Sequence, residues 1–128
     1  MGITRFLRPE DGVLWRSACE QRARYWGNAV FLRGIIEFSN HCRQNCLYCG
    51  LRKDNRELAR YRMSPDAILS CAAEIRKLGF GTVVLQAGED PGFAPADIAR
   101  VVSRTKRELG LAVTLSLGDW DRERDSLW

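Results

Sequence analysis

The sequence contains no long hydrophobic run. None of its apolar stretches approaches the roughly 18 residues that a membrane-spanning helix needs, and the first eight residues lack the apolar segment of a secretory signal peptide. These absences, together with cysteines that we expect to be free thiols, predict a protein of the reducing cytoplasm that has no membrane partner.

The sequence also lacks a dense run of basic residues. It carries 20 lysines and arginines against 16 acidic residues, which gives a net charge of +4. Because the arginines are scattered along predicted helices, we interpret them as a solvated face rather than a nucleic-acid-binding patch. The 128 residues, of which 45% are hydrophobic, are enough for one ordinary globular domain.

Histidine and cysteine are scarce, and their distribution is uneven. The chain has one histidine, His41, and five cysteines, three of which fall within eight residues. Cys42, Cys46 and Cys49 are spaced Cx3Cx2C and cannot all pair with one another as disulfides, so their density favours metal binding. A structural zinc site and an ordinary iron–sulfur cube each take four protein ligands, whereas a cube held by three cysteines leaves one iron open.

Hydrophobic periodicity and turn residues predict alternating strands and helices. A helix over residues 10–26 precedes strands over 35–39, 82–86 and 111–117, and further helices begin at Pro65 and Pro95. Strands that alternate with helices predict a parallel sheet with right-handed crossovers. Cys19 and Cys71 fall within predicted helices, where we expect each to be a small buried hydrophobic residue.

Polar side chains are expected on one face of this sheet. Successive strand residues point to opposite faces, so Gln86, Thr114 and Ser116 lie opposite the apolar residues that should contact the helices. The same alternation sets Glu37 and Ser39 on one face of the first strand. Because buried polar groups need partners, we interpret Gln86, Thr114 and Ser116 as candidate substrate-binding residues, with hydrogen bonds to one another or to water as the alternative.

Sequence blocks around the cysteines resemble a known family. These blocks are residues 34–40, 50–55, 60–63, 84–91 and 113–118. In this order, and with the Cx3Cx2C spacing, they resemble the radical S-adenosylmethionine (SAM) enzymes, most of all the HydE family of [FeFe]-hydrogenase H-cluster maturases in the biotin synthase-like group. The resemblance covers residues 27–120.

The resemblance implies an α/β fold of the TIM type, a β/α barrel. In this interpretation residues 1–33 form an N-terminal helical segment, residues 34–118 form a partial barrel, and residues 119–128 are a truncated tail. The partial barrel contains about three βα units, whereas a complete eight-stranded barrel needs about 250 residues. We therefore expect the isolated chain to be incomplete and inactive.

The resemblance also implies roles for individual residues. The three motif cysteines would hold a [4Fe–4S] cluster whose open iron binds SAM, and an electron would then split SAM to give a 5′-deoxyadenosyl radical. The residues expected to contact SAM are Tyr48, Gly88 and Glu89. One departure from the family pattern is Ala87, which stands where a second glycine is usual, and we expect this small residue to be tolerated.

The implied activity is a step of H-cluster maturation on a small-molecule or iron-bound substrate, with an electron donor such as a ferredoxin or a flavodoxin. Enzymes like methylornithine synthase or biotin synthase are alternatives within the same group. Two further alternatives are a zinc-binding module that uses the three cysteines and His41, and a remnant that binds a cluster without turnover.

Overall fold

The computed structural model describes residues 11–118, in which helices and strands alternate as predicted. The elements are α1 (Asp11–Trp26), β1 (Gly34–Ser39), α2 (Pro65–Lys77), β2 (Thr82–Ala87), α3 (Pro95–Leu109) and β3 (Ala112–Ser116). The predicted α/β class is confirmed, and the strand boundaries differ from the prediction by one residue at most. The predicted tail, residues 119–128, lies outside the described residues.

The chain divides into two compact units, Met1–Phe31 and Leu32–Trp128. In the first unit, every side chain from residue 12 to residue 26 is exposed. The prediction that Cys19 is buried is therefore wrong, because α1 is the only element described in its unit and offers no second element against which to bury a side chain there. Among the described helices, none combines the length and the apolar character that crossing a membrane requires.

The three strands form one parallel sheet in the order β1–β2–β3. Its register pairs Glu37 with Gln86, and Gln86 with Ser116, so these residues form one row across the carboxyl end of the sheet. An irregularity between Glu37 and Ser39 shifts the register at the end of β1. As a result Ser39 is buried, although strict alternation predicts it on the same face as the exposed Glu37.

The hydrophobic core lies between the sheet and two helices. Helices α2 and α3 pack against each other, α2 also contacts β1, and α3 contacts β3. The buried apolar side chains are Ile36, Phe38, Ile68, Ala72, Val83, Leu85, Phe93, Ile98, Val101, Leu111 and Leu117. Full burial of a large aliphatic or aromatic side chain contributes about 1.5–3 kcal/mol, so this cluster stabilises the second unit.

Helix α2 begins as predicted, but its cysteine is exposed rather than buried. Ser64 caps it, because its hydroxyl accepts a hydrogen bond from the amide of Ala67 at 3.2 Å, and Pro65 occupies the first position. Cys71, which we expected to be buried, is exposed because it lies about 100° around the helix from the buried Ala72. Leu78, which caps the carboxyl end of the helix, is 75% exposed.

Candidate functional site

The three motif cysteines lie on one loop that leaves the carboxyl end of β1. We call residues 41–50 the cysteine loop, and it contains no helix or strand. Cys42 and Cys49 are half-buried, and Cys46 is exposed. The amide of Cys49 donates to the carbonyl oxygen of Cys46 at 3.0 Å, which forms a tight turn between these two thiols. In β/α folds this edge of the sheet carries the functional loops.

The cysteine loop supplies a donor set made entirely of sulfur. Thiolates select iron–sulfur clusters or zinc, and three of them are one ligand short of either closed site. Within residues 11–118, no group of three or more His, Cys, Asp or Glu side chains is already gathered around one point that could hold a metal ion. The donor chemistry therefore fits a three-cysteine cluster, and binding it requires the side chains of this loop to converge.

Gly88, which follows β2, lies against the beginning of the cysteine loop. A Cβ atom at this position would lie 2.7 Å from the Cβ of Cys42, and closer still to the carbonyl oxygen of His41. Glycine permits this approach because it has no side chain. Gly88 thus lies close to the beginning of the cysteine loop, while its contact with SAM stays a prediction.

We expect Gly88→Ala to destabilise the second unit by displacing the cysteine loop. Overpacking a well-packed site costs about 1–3 kcal/mol, which urea unfolding would measure as a lower free energy of unfolding. Gly81→Ala is the matched control, because a Cβ at Gly81, just before β2, meets nothing within 4 Å. Equal losses of stability in the two variants would contradict the contact.

Glu89 joins the loop after β2 to the cysteine loop. Its Oε2 accepts hydrogen bonds from Arg43 Nε at 3.0 Å and from Gln44 Nε2 at 2.6 Å. Its backbone carbonyl accepts from the amide of Arg43 at 2.9 Å. Gly118, at φ 78°, lies beside this side chain, and a Cβ there would collide with it. Glu89 therefore orients the segment between the first two cysteines, and its contact with SAM stays a prediction.

Tyr48 stands apart from the other residues expected to contact SAM. Its side chain is 93% exposed, and in the described part of the chain it makes no hydrogen bond or ring contact. The neighbouring Leu47 is 88% exposed. The tip of the cysteine loop thus presents two apolar side chains to solvent, and the contact of Tyr48 with SAM stays a prediction.

The predicted substrate-binding residues lie on the face of the sheet opposite α2 and α3. Gln86 and Ser116 are register partners, whereas Thr114 lies one row earlier, opposite Val84. Gln86 is half-buried, and Thr114 and Ser116 are exposed. Neighbouring strands lie about 4.8 Å apart, so the structure brings Gln86 and Ser116 together at the edge where the cysteine loop begins. Their contact with a substrate stays a prediction.

A buried carboxylate next to Glu89 is a residue that our sequence reasoning did not single out. The side chain of Asp90 is 2% exposed. Its Oδ2 accepts from Ser39 Oγ at 2.5 Å and from Arg62 Nε at 2.6 Å, and its Oδ1 accepts from Arg62 Nη2 at 2.7 Å and from the amide of Gly92 at 2.8 Å. Asp90 thus connects the end of β1, the loop after β2 and the segment before α2.

The hydrogen bonds keep Asp90 ionised. Burial acts to raise the pKa of this carboxyl group, but hydrogen bonds from Arg62, Ser39 and the Gly92 amide outweigh it and lower the pKa from 3.8 to about 2. The hydrogen bond that Arg62 donates to Asp90 raises the pKa of Arg62, although burial acts to lower it. A signal for Asp90 was present in the sequence, because Asp before Pro91 and Gly92 is typical of a turn in which the side chain accepts from the amide two residues on.

No protein-family model matches the chain. Known proteins do. The chain is 51% identical over 116 residues to the [FeFe] hydrogenase maturase subunit HydE of Thermotoga maritima, which covers 91% of this chain and 33% of that protein. It is 36% identical over 110 residues to a 3-methylornithine synthase of Methanosarcina acetivorans, which covers 84% of this chain and 31% of that protein.

A solved structure is similar as well. The crystal structure of methylornithine synthase (PylB) has a TM-score of 0.76 and 33% identity, and the match covers 86% of this chain and 34% of that chain. The chain therefore spans about a third of the length of the relatives that it matches. These relatives are radical SAM enzymes with a TIM-type barrel, which confirms the partial β/α barrel. The chain thus belongs to the radical SAM family, in which it is similar to part of the HydE maturases.

Proposed function

We propose that this chain is the cluster-binding part of a radical SAM enzyme that matures the H-cluster of [FeFe]-hydrogenase. Cys42, Cys46 and Cys49 would hold a [4Fe–4S] cluster, which with SAM supplies reductive cleavage to methionine and a 5′-deoxyadenosyl radical. The observation that best supports this proposal is the position of the cysteine loop, which begins at the carboxyl end of β1 and contacts both Gly88 and Glu89. The 51% identity to HydE supports the finer assignment to hydrogenase maturation.

The residues around the cysteine loop have the chemistry that SAM requires. Glu89 is an acceptor for the ammonium group of the methionyl end, and the peptide backbone at Gly88 is accessible without a side chain. Tyr48 offers an exposed aromatic face for the adenine. These three residues therefore bind and orient SAM in the proposal.

The face of the sheet opposite α2 and α3 has the chemistry for a polar substrate. Gln86, Thr114 and Ser116 offer amide and hydroxyl groups that both donate and accept hydrogen bonds. Gln86 and Ser116 lie at the carboxyl end of the sheet, the same end from which the cysteine loop leaves β1. We infer a small-molecule or iron-bound substrate at this face, an electron donor such as a ferredoxin or a flavodoxin, and a cytoplasmic location.

Anaerobic reconstitution of the chain with iron and sulfide tests the proposal. We expect about four irons per chain, a brown protein and an electron paramagnetic resonance (EPR) spectrum of the reduced protein that changes when SAM is added. A colourless protein with stoichiometric zinc and no iron uptake would overturn the proposal in favour of a zinc-binding module. Iron uptake without any response to SAM would leave only a cluster-binding remnant.

The similarity to 3-methylornithine synthase supports a second candidate function within the same family. In that case the same residues would bind the cluster and SAM, and only the substrate at the face of the sheet opposite α2 and α3 would differ. An EPR spectrum of the SAM-loaded protein that changes on addition of 3-methylornithine would favour this candidate.

A further inference from the structure

The two ends of the cysteine loop meet at one side chain, Arg60. Its Nη1 donates to the carbonyl oxygen of Asn40, the residue before the loop, and at 2.9 Å to that of Leu51, the residue after it. Its Nη2 donates to the carbonyl oxygens of Arg52 at 2.7 Å and Asn55 at 3.3 Å. One guanidinium group therefore links both ends of the loop that carries the cysteines.

Asn40 strengthens this link from the other side. It is 8% exposed, its Nδ2 donates to the carbonyl oxygen of Ala59 at 2.8 Å, and its Oδ1 accepts from the amide of Tyr61 at 2.7 Å. The residue before the loop is thus bonded to both chain neighbours of Arg60 as well as to Arg60 itself. These contacts are separate from those of Asp90, which bonds to Ser39 and Arg62.

Arginine has the chemistry for this position. Its guanidinium group carries five N–H donors in a rigid planar fork and no acceptor, so it can serve several carbonyl oxygens at once. Lysine has the same charge but donates from a single nitrogen and does not reproduce the fork. A loop whose ends are fixed loses less conformational freedom when its thiols bind a common ligand, which favours binding.

We propose that Arg60 is a positioning residue that closes the cysteine loop and thereby limits how far its three thiols must move to converge on one cluster. The link to the cluster rests on the proposed function. The closure itself is a property of the metal-free chain, so it can be tested separately.

Amide hydrogen exchange in the metal-free chain tests the closure. The loop provides its own probes, because the amides of Cys49, Arg52 and Lys53 are hydrogen-bonded within or across it. In Arg60→Ala we expect these amides to exchange roughly tenfold faster or more, while amides in α3 keep their wild-type rates. Arg60→Lys should also accelerate exchange, and it serves as the readout if the alanine variant fails to fold.

Arg56→Ala is the matched control, because Arg56 is an exposed arginine of the same region that makes no hydrogen bond or ion pair with a described residue. Its loop amides should exchange at wild-type rates. The proposal is overturned if the loop amides of Arg60→Lys exchange as slowly as those of Arg56→Ala. If exchange in Arg60→Ala accelerates equally in the loop and in α3, that variant is globally destabilised, and the proposal is overturned unless the loop amides of Arg60→Lys exchange faster than those of Arg56→Ala while α3 keeps its wild-type rates.

Reconstitution then tests the consequence for the cluster. At limiting iron we expect Arg60→Lys to show a severalfold smaller SAM-dependent EPR change per chain than Arg56→Ala. Equal changes in the two variants would overturn the role of Arg60 toward the cluster, with the proposed function still standing. If wild-type protein takes up no iron, the proposed function fails, and the exchange rates still decide whether Arg60 closes the loop.

Discussion

Replacing Cys46 with serine is expected to abolish the change that SAM causes in the EPR spectrum of the reconstituted chain, and to lower iron uptake severalfold. Cys46 is the middle ligand of the proposed cluster, and two remaining thiolates are too few to hold an ordinary cube. Serine is a hard oxygen donor that stays protonated at neutral pH, so it does not replace a soft thiolate on iron. Iron content and EPR spectra of the reconstituted variant measure this effect.

Two controls separate ligand loss from unfolding. Cys46 is exposed, so its replacement leaves no cavity, and the free energy of unfolding of the metal-free variant should stay within about 0.5 kcal/mol of wild type. Cys71→Ser makes the same chemical change at an exposed position on α2, and it should retain wild-type iron uptake. A Cys46→Ser protein that still responds to SAM would contradict the three-cysteine cluster.

The order of helices and strands could be predicted because local signals agree with the final packing. Apolar alternation marks each strand, and Ser64, Pro65 and Pro95 mark the beginnings of the two helices that cover the sheet. The position of the cysteine loop then follows from topology alone, because loops after parallel strands emerge at one edge. The placement of Gly88 and Glu89 beside this loop follows for the same reason.

Burial of individual side chains could not be predicted as well. Cys19 and Cys71 are apolar enough for a core, but burial depends on which elements pack against a helix, and periodicity alone does not contain that information. The burial of Ser39 next to the exposed Glu37 does not follow from strict alternation, because the register shifts at the end of β1. The burial of Ser39 also matters for the site, because it lets the Ser39 hydroxyl donate a hydrogen bond to Asp90.

Three consecutive residues after β2 each hold a different part of the structure around the cysteines. Gly88 contacts the beginning of the cysteine loop, Glu89 bonds the segment between the first two cysteines, and Asp90 bonds the segment before α2 through Arg62. Preorganised sites need this kind of support behind the residues that bind the ligand. The loop after β2 is therefore expected to position the cysteine loop even where it does not contact SAM.

Replacing Asp90 with asparagine is expected to lower the free energy of unfolding at neutral pH by roughly 2 kcal/mol. The change keeps the shape of the side chain but removes the charge that Arg62 and Ser39 hydrogen-bond, and it leaves a buried amide facing donors. A carboxyl pKa lowered from 3.8 to about 2 corresponds to a similar energy, at about 1.4 kcal/mol per pH unit. Urea unfolding of both proteins measures the difference.

Acid should remove this difference. Because folding lowers the pKa of Asp90, its contribution is fully present above pH 3.8 and is lost as the pH falls toward about 2. Wild type and Asp90→Asn should therefore converge in stability over this range. Asp97→Asn is the control, because the ion pair of Asp97 with Arg100 is exposed and contributes less than about 1 kcal/mol. A gap between wild type and Asp90→Asn that stays constant down to pH 2 would show that the charge of Asp90 is not what stabilises the fold.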